Sequence, residues 1–306
     1  MASWNPASCD SVYAVRSIDP TVGVNSVSGK ELVAKPQFTF ELWVWCEMEV
    51  HPTSSIEYET VCHFFTYGGN EYRDFYINIS VAKQGYETQW SYVYFAIGNT
   101  GGGQVSKTVY INYNDFYQKW VHLAITFDGT VGKLYINGTY AGQTSTFSGT
   151  RPDGETGKLY LFNFPAGSGG FVGVADDMRH WDYARTQAQI DTYKTQRVAF
   201  DESGLVAYWR MEEGSGDTIG DGCAGGYDLN MSSSLGDFEW VVVGTVPSEE
   251  EDRPPERRRR ASVVVPGVMA QVATISGDRQ RIAKTVAPPF SRISGLQPGL
   301  NTRNRR

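Results

Sequence analysis

WVHLAITFDGTVGKLYINGTYAG, residues Trp120 to Gly142, carries two strand patterns joined by a turn, and the rest of residues 1–245 has to pack around it. From Trp120 to Phe127 bulky apolar side chains occupy both parities, the pattern of a central strand covered on both faces. Asp128-Gly129 supplies the positive-φ chemistry of a tight connection. Lys133 to Gly138 then alternates into a second strand that ends on another Asn-Gly turn. The stretch is a hairpin with a further turn primed behind it.

The same periodicity extends outward in both directions. Strands are expected near Ser11 to Val15 and over Phe38 to Val50, Thr60 to Tyr67, Phe75 to Val81, Trp90 to Ile97 and Thr108 to Tyr113. Beyond the hairpin, Gln143 to Thr156 reads as a loop. Lys158 to Phe162, Phe171 to Trp181, Leu205 to Met211 and Asp237 to Val243 read as further strands. Within Phe38 to Val50, Trp43 and Trp45 share one face and Phe40, Leu42 and Val44 the other, so one row is expected to be core. One short helix is expected, Thr186 to Lys194, with Thr186 as its cap and Gln189, Ile190 and Tyr193 at helical spacing. Many short strands with almost no helix predict an all-β, two-sheet antiparallel jelly-roll sandwich. The 13% aromatic content suits the roughly 10 Å layer that two facing sheets must fill.

The net charge of −7 hides a split. Residues 253–306 hold 12 Lys+Arg against 2 Asp+Glu, a balance of +10; residues 1–252 hold 15 against 32, a balance of −17. The composition changes near Val246, which divides the chain into a jelly-roll domain over 1–245 and an extended, Pro/Arg-rich C-terminal arm over 246–306. With Phe290 as its single aromatic residue the arm is not expected to build a core of its own. Arg257, Arg258, Arg259 and Arg260 form an unbroken run, and Arg279, Arg281 and Arg292 continue the charge. Docking onto an acidic protein surface of another subunit is preferred for this arm over nucleic acid, because it lacks the aromatics that stack on single strands.

No apolar run of about 18 residues is present, so no membrane span is expected. Met1-Ala2-Ser3-Trp4-Asn5-Pro6 has no charged region leading into an apolar one, so no signal peptide is expected in this sequence. The four cysteines, Cys9, Cys46, Cys62 and Cys223, are far apart without a C-x-x-C pair; buried free thiols are expected, with one or two disulfides left open.

The order Trp-x-His-x-Ala-x-Thr-Phe-Asp-Gly followed by Leu-Tyr-Ile-Asn-Gly resembles the laminin G-like, concanavalin A-type lectin/glucanase superfamily. Phe38 to Val44 looks like that family's early strand, and Phe171 to Trp181 followed by Ala184-Arg185-Thr186 looks like its late one. The resemblance spans roughly residues 10 to 240. It implies a concanavalin A-like sandwich and, as functional candidates, glycan or protein binding with calcium at one rim.

Asp176 and Asp177 are the candidate calcium ligands, adjacent carboxylates being the hard oxygen donors Ca²⁺ prefers. The competing reading pairs Asp177 with Arg179, Arg185 or backbone amides. Trp43, Trp45, Tyr92 and Tyr94 are candidate platforms for sugar rings, with Asn70 and Asn99, beside the Gly-rich turns, as polar contacts. Catalysis is not expected. The superfamily's glucanases place paired carboxylates on alternate positions of one strand, whereas Glu41 is isolated among apolar neighbours and Glu212-Glu213 are adjacent. His122 and His180 are expected to be structural. The expectation is a non-catalytic, lectin-like binding module anchored by its arm in a larger assembly at a virion or extracellular surface. A glycan-active hydrolase and a nucleic-acid-associated protein are the alternatives.

Overall fold

The computed structural model describes residues 12–17, 24–26, 35–47, 58–68, 70–84, 88–99, 103–151, 156–162, 171–231 and 238–243. In chain order the elements are β1 (Tyr13–Ser17), β2 (Val24–Ser26), β3 (Phe38–Cys46), β4 (Tyr58–Gly68), β5 (Asn70–Gln84), β6 (Thr88–Gly98), β7 (Gln104–Asn112) and α1 (Tyr113–Phe116). They continue with β8 (Trp120–Phe127), β9 (Gly132–Ile136), β10 (Thr139–Gln143), β11 (Thr156–Leu161), β12 (Gly173–Trp181), α2 (Gln187–Tyr193), β13 (Leu205–Trp209), β14 (Thr218–Ile219), β15 (Leu229–Asn230) and β16 (Phe238–Val242).

Two eight-stranded antiparallel sheets make the sandwich. Sheet A runs β10-β9-β8-β3-β12-β1-β16, and sheet B runs β14-β15-β2-β11-β4-β5-β6-β7. Strand β12 has β3 along one edge. Its other edge is shared, β1 pairing with Gly173 to Ala175 and β13 with Met178 to Trp181. The hairpin read from Trp120 to Gly142 is β8-β9-β10, its two turns lying at Asp128-Gly129 and Asn137-Gly138. Asn137 (φ 52°) and Gly138 (φ 79°) both take the left-handed conformation that Asn-Gly supplies.

The interlayer core alternates along each strand as the period of two requires. Phe38, Phe40, Leu42, Val44 and Cys46 of β3 meet Val121, Leu123, Ile125 and Phe127 of β8 and Val93, Phe95 and Ile97 of β6. The expectation that only one row of β3 is core is corrected. Every residue of β3, β8 and β12 is buried, because the segment from Asp182 to Phe200, with α2 at its centre, covers the outer face of sheet A. Trp43 donates its Nε1 hydrogen to the Lys194 carbonyl at 2.8 Å, and Ile190 of α2 packs with Ala124 and Tyr135. The helix starts where Thr186 was expected to cap it. Gln189 completes a capping box, its side chain accepting from the Thr186 backbone at 2.8 Å. Short strands β2, β14 and β15 and helix α1 carry no periodic signal long enough to read from sequence.

Cys46 is buried on β3, and the half-buried Cys223 is a free thiol. Among the described residues no helix is long and apolar enough to cross a membrane. The arm, with Arg257, Arg258, Arg259, Arg260, Arg279, Arg281 and Arg292, lies outside the described residues.

His180 occupies the interlayer face of β12 with its ring between Phe38 and Phe40, centroids 6.2 and 6.4 Å away. Burial, reinforced by the Lys35 and Arg151 charges, lowers its pKa to about 3. A neutral folded histidine takes up its proton more readily once unfolded, so stability falls as pH drops below the ordinary value near 6.5 and stops falling near 3. The slope approaches about 1.4 kcal/mol per pH unit. In His180→Leu, the stability lost between pH 7 and pH 5 in urea titrations should be smaller than in the wild type by about 2 kcal/mol. Equal losses in the two proteins would contradict the assignment.

Candidate functional site

Two surfaces compete for function, the outer face of sheet A under α2 and the outer face of sheet B. On sheet A the side chains are polar yet buried. Glu41 of β3 accepts from Arg185 Nη1 at 2.6 Å and from Trp181 Nε1 at 3.0 Å, with Arg179 Nη1 at 3.7 Å. Arg179 in turn donates to Asp177 at 2.5 Å, to the Tyr193 carbonyl at 2.9 Å and to the Gln196 carbonyl at 2.7 Å. Burial opposes the Arg179 charge, but Asp177, Tyr208 and Glu41 outweigh it and raise its pKa. Tyr208, its own pKa raised by burial and by Asp177, keeps its proton and donates it to Asp177 Oδ1 at 2.5 Å.

A β-bulge builds this cluster. The pairing of β12 with β3 shifts between Asp176 and Arg179, and Asp177 takes φ 51°. The extra residue lets Asp177 reach Arg179 and Tyr208 on the side of the sheet where Arg179 meets Glu41. Asp176 stands in register with Trp43 and is 0% exposed. The competing reading of Asp177 is therefore the one realised, since both of its carboxylate oxygens are committed to protein donors. Among the described residues no group of three or more His, Cys, Asp and Glu side chains converges as a metal site.

His122 is 3.8 Å from Glu41, but burial and the nearby Arg179, Lys194 and Arg185 charges hold its pKa well below the usual value. It stays neutral, so the contact is not an ion pair. Glu41, read as isolated, is instead the hub of the cluster. Its partners Arg179, Trp181 and Arg185 lie well over a hundred residues away in sequence, and only the pairing of β3 with β12 reveals them.

The aromatic candidates divide. Trp43 and Trp45 are 1% and 3% exposed beneath the α2 segment and among Trp120, Val174 and Val243, so neither offers a ring face to a sugar. Tyr92 and Tyr94 point the other way, half-buried on the outer face of sheet B, while Val93 and Phe95 between them fill the interlayer. Antiparallel pairing of β6 with β7 sets Tyr110 directly across from Tyr92 and Thr108 across from Tyr94. Tyr110 is 67% exposed and meets Tyr92 edge-on at 5.9 Å. Gln104 Nε2 donates to the Tyr94 hydroxyl at 3.0 Å. Sequence reading missed Tyr110, although its parity within Thr108 to Tyr113 would have found it once β6 and β7 were paired. On the other side of β6, Ser80 and Asn78 hold the register positions opposite Tyr92 and Tyr94.

Asn99 serves the fold. Its side chain accepts from Gly103 N at 2.9 Å and donates to the Ser148 carbonyl at 3.0 Å, tying two loops together. Asn70 opens β5 opposite Gly68 of β4; its side chain lies outside the described residues.

A sequence profile described as the concanavalin A-like lectin/glucanases superfamily matches residues 23–191, more than half of the chain. The chain belongs to that superfamily. Among curated proteins none matches it. Its fold is similar to that of a protein from Bacteroides ovatus ATCC 8483 described as a carbohydrate binding protein, at 17% identity and a TM-score of 0.52. The match covers 76% of this chain and 60% of that one, so the chain spans about three fifths of that relative. It is also similar to the heptameric SAP-like pentraxin of Limulus polyphemus (12% identity, TM-score 0.43, 72% and 95% covered). A third similar structure is the enzymatically active domain of tailspike protein 2 of bacteriophage CBA120 (14% identity, TM-score 0.48, 70% and 32% covered).

The Glu41–Arg185 pair is a stability element in this superfamily member. Glu41→Leu leaves the Arg185 guanidinium, 2% exposed, without its carboxylate, and should cost about 3–5 kcal/mol in urea unfolding. Glu41→Leu combined with Arg185→Leu should recover a substantial part of that loss. A double variant as unstable as the sum of the singles would refute coupling.

Proposed function

We propose that the chain is a non-catalytic carbohydrate-binding module whose ligand lies on the outer face of sheet B over Tyr92, Tyr94 and Tyr110. The observation that carries this reading is Tyr110, a large aromatic ring left 67% exposed on β7, the edge strand of sheet B, and edge-on to a second tyrosine. Sugars present C–H-rich ring faces that pack on aromatic rings and hydroxyls that need donors and acceptors nearby. The tyrosine hydroxyls, Thr108 and Gln104 provide polar groups beside the rings. The carbohydrate-binding description of the Bacteroides ovatus relative agrees with this choice of ligand.

Four carboxylates, two on sheet A and two in the segment after β13, support a non-catalytic role. Glu41 and Asp177 are buried in ion pairs, Glu212 accepts from Arg197 at 2.6 Å and Glu213 accepts from Gly220 N at 2.8 Å. A retaining or inverting glycosidase needs two carboxyl groups facing one sugar across an open cleft. The setting proposed for the module is a larger assembly at a virion or extracellular surface, supported by the opposed charges of residues 1–252 and 253–306. Calcium bound through Asp176 and Asp177 is not part of this reading.

A glycan array probed with the protein should yield at least one bound class. Tyr110→Ala should weaken that binding roughly tenfold in calorimetric titration, while the melting profile stays that of the wild type. The bound glycan should release no new reducing ends on prolonged incubation. Unchanged affinity in Tyr110→Ala would move the site elsewhere, and new reducing ends would make the protein a hydrolase.

A further inference from the structure

A groove of ≈390 Å³ opens beside the loop that follows α2, far in character from the tyrosine face. Its apolar wall comes from Leu205, Val206 and Tyr227, and its rim carries Asp201 and Glu202. Both acidic residues are exposed, and no hydrogen bond or ion pair engages their carboxylates among the described residues. Lys35 is the single basic residue lining the groove. The surrounding segment is strongly acidic. From Phe200 to Asn230 there are seven Asp and Glu and one basic residue, Arg210. Arg210 is already used, stacked on Phe200 at 3.9 Å and bonded to the Val198 carbonyl.

One stretch of this chain has the complementary chemistry. Residues 257–265 read Arg-Arg-Arg-Arg-Ala-Ser-Val-Val-Val, a block of four guanidinium groups followed directly by an aliphatic block. An acidic rim beside an apolar wall matches that order of charge and apolarity. The position at which the described chain ends favours the same pairing. Val243 donates its backbone hydrogen to Val12 O at 2.8 Å, and Val12 N in turn donates to the Glu212 carboxylate at 3.0 Å. Glu212 belongs to the acidic segment. Arg257 lies fourteen residues past Val243. That length of extended chain reaches roughly 48 Å, against a radius of gyration of about 18 Å for a domain of this size. A tether of this kind keeps the arginine block at an effective concentration in the millimolar range, far above that of a neighbouring copy in dilute solution.

We infer that the groove bounded by Asp201, Glu202, Leu205, Val206 and Tyr227 is the docking site for residues 257–265 of the same chain. The arginines pair with the rim and the Ala-Ser-Val-Val-Val stretch lies on the apolar wall. This inference is independent of the glycan reading. Docked in this way, the arginine block is withheld from other acidic surfaces until one with more carboxylates competes for it, which couples engagement of a partner to vacating the groove.

Limited trypsin digestion of the full-length chain tests it, with cleavage within Arg257 to Arg260 timed by mass spectrometry and referred to cleavage at Arg292. In the wild type at low salt the run should be cut relatively slowly. In Asp201→Asn combined with Glu202→Gln the ratio should rise roughly fivefold, and raising the salt should bring the wild type to the same ratio. Asp115→Asn, which neutralises an exposed carboxylate on α1, should leave the ratio unchanged, as should dilution. Equal ratios in the wild type and the double variant, or an equal rise in Asp115→Asn, would overturn the inference. A ratio that rises on dilution would place the arm of a second copy in the groove and overturn the assignment to the same chain.

Discussion

The carboxylate of Glu41 is the constraint on which the second layer of the fold depends. It is 0% exposed, on a strand whose other face is already core, and a charge in that position is unfavourable unless its partners are fixed. Arg185 and Trp181 provide those partners at 2.6 and 3.0 Å. Arg185 does so from the start of the α2 segment, stacking over Trp181 at 4.3 Å and donating its backbone N–H to Thr39 Oγ1. Arg179 adds bonds to the carbonyls of Tyr193 and Gln196 at the far end of the same segment. The segment is thus pinned at both ends by guanidinium groups that are held by buried carboxylates. Hydrophobic burial by Ile190 is non-directional, whereas these bonds specify where the segment lies.

That arrangement decides which aromatic faces stay accessible. With α2 and its flanks seated on sheet A, Trp43 becomes an interior residue; Trp45 and Trp120 are buried in one cluster with it, Ala14, Val174 and Val243, and the large apolar area of all three stabilises the protein rather than a ligand complex. Sheet B has a different outer surface where its side chains are described. Tyr110 remains open, and Tyr92 and Tyr94 keep part of their rings accessible. An exposed aromatic on a sheet face gains nothing from burial within its own chain. Tyr110, with the partly accessible rings of Tyr92 and Tyr94 on the adjacent strand, therefore forms a surface whose apolar area is available to a partner.

The fold was legible because its signals are local or periodic. Asn137-Gly138 marks a turn whatever surrounds it, Thr186 with Gln189 marks a helix start, and the double-parity apolar pattern of Trp120 to Phe127 marks a strand covered twice. The candidate site was legible only in part, because parity within a strand does not state which sheet face is covered. The same alternation that separates Trp43 from Leu42 separates Tyr94 from Phe95, yet α2 closes the outer face in the first case and leaves it partly open in the second. Asp176 and Asp177 read as candidate metal ligands because carboxylates are hard oxygen donors, with pairing of Asp177 to Arg179 as the competing reading. The bulge at Asp177, invisible in composition, brings its two oxygens to Arg179 and Tyr208. Glu41 read as isolated because its partners arrive through the β3–β12 pairing.

Electrostatics extends the same logic from the interior to the surface. Inside, each carboxylate of the Glu41 and Asp177 cluster is matched by a guanidinium group within bonding distance, since the low dielectric leaves no alternative. Over the whole chain, residues 1–252 carry a net −17 and residues 253–306 a net +10. Water and salt screen that attraction over about 8–10 Å, so overall imbalance alone does not select a contact. Selection requires apolar area next to charge, and the groove beside Asp201 and Glu202 combines the two. The interior cluster sets the rule that the proposed docking extends: guanidinium groups find their place where carboxylates stand beside surface that excludes water.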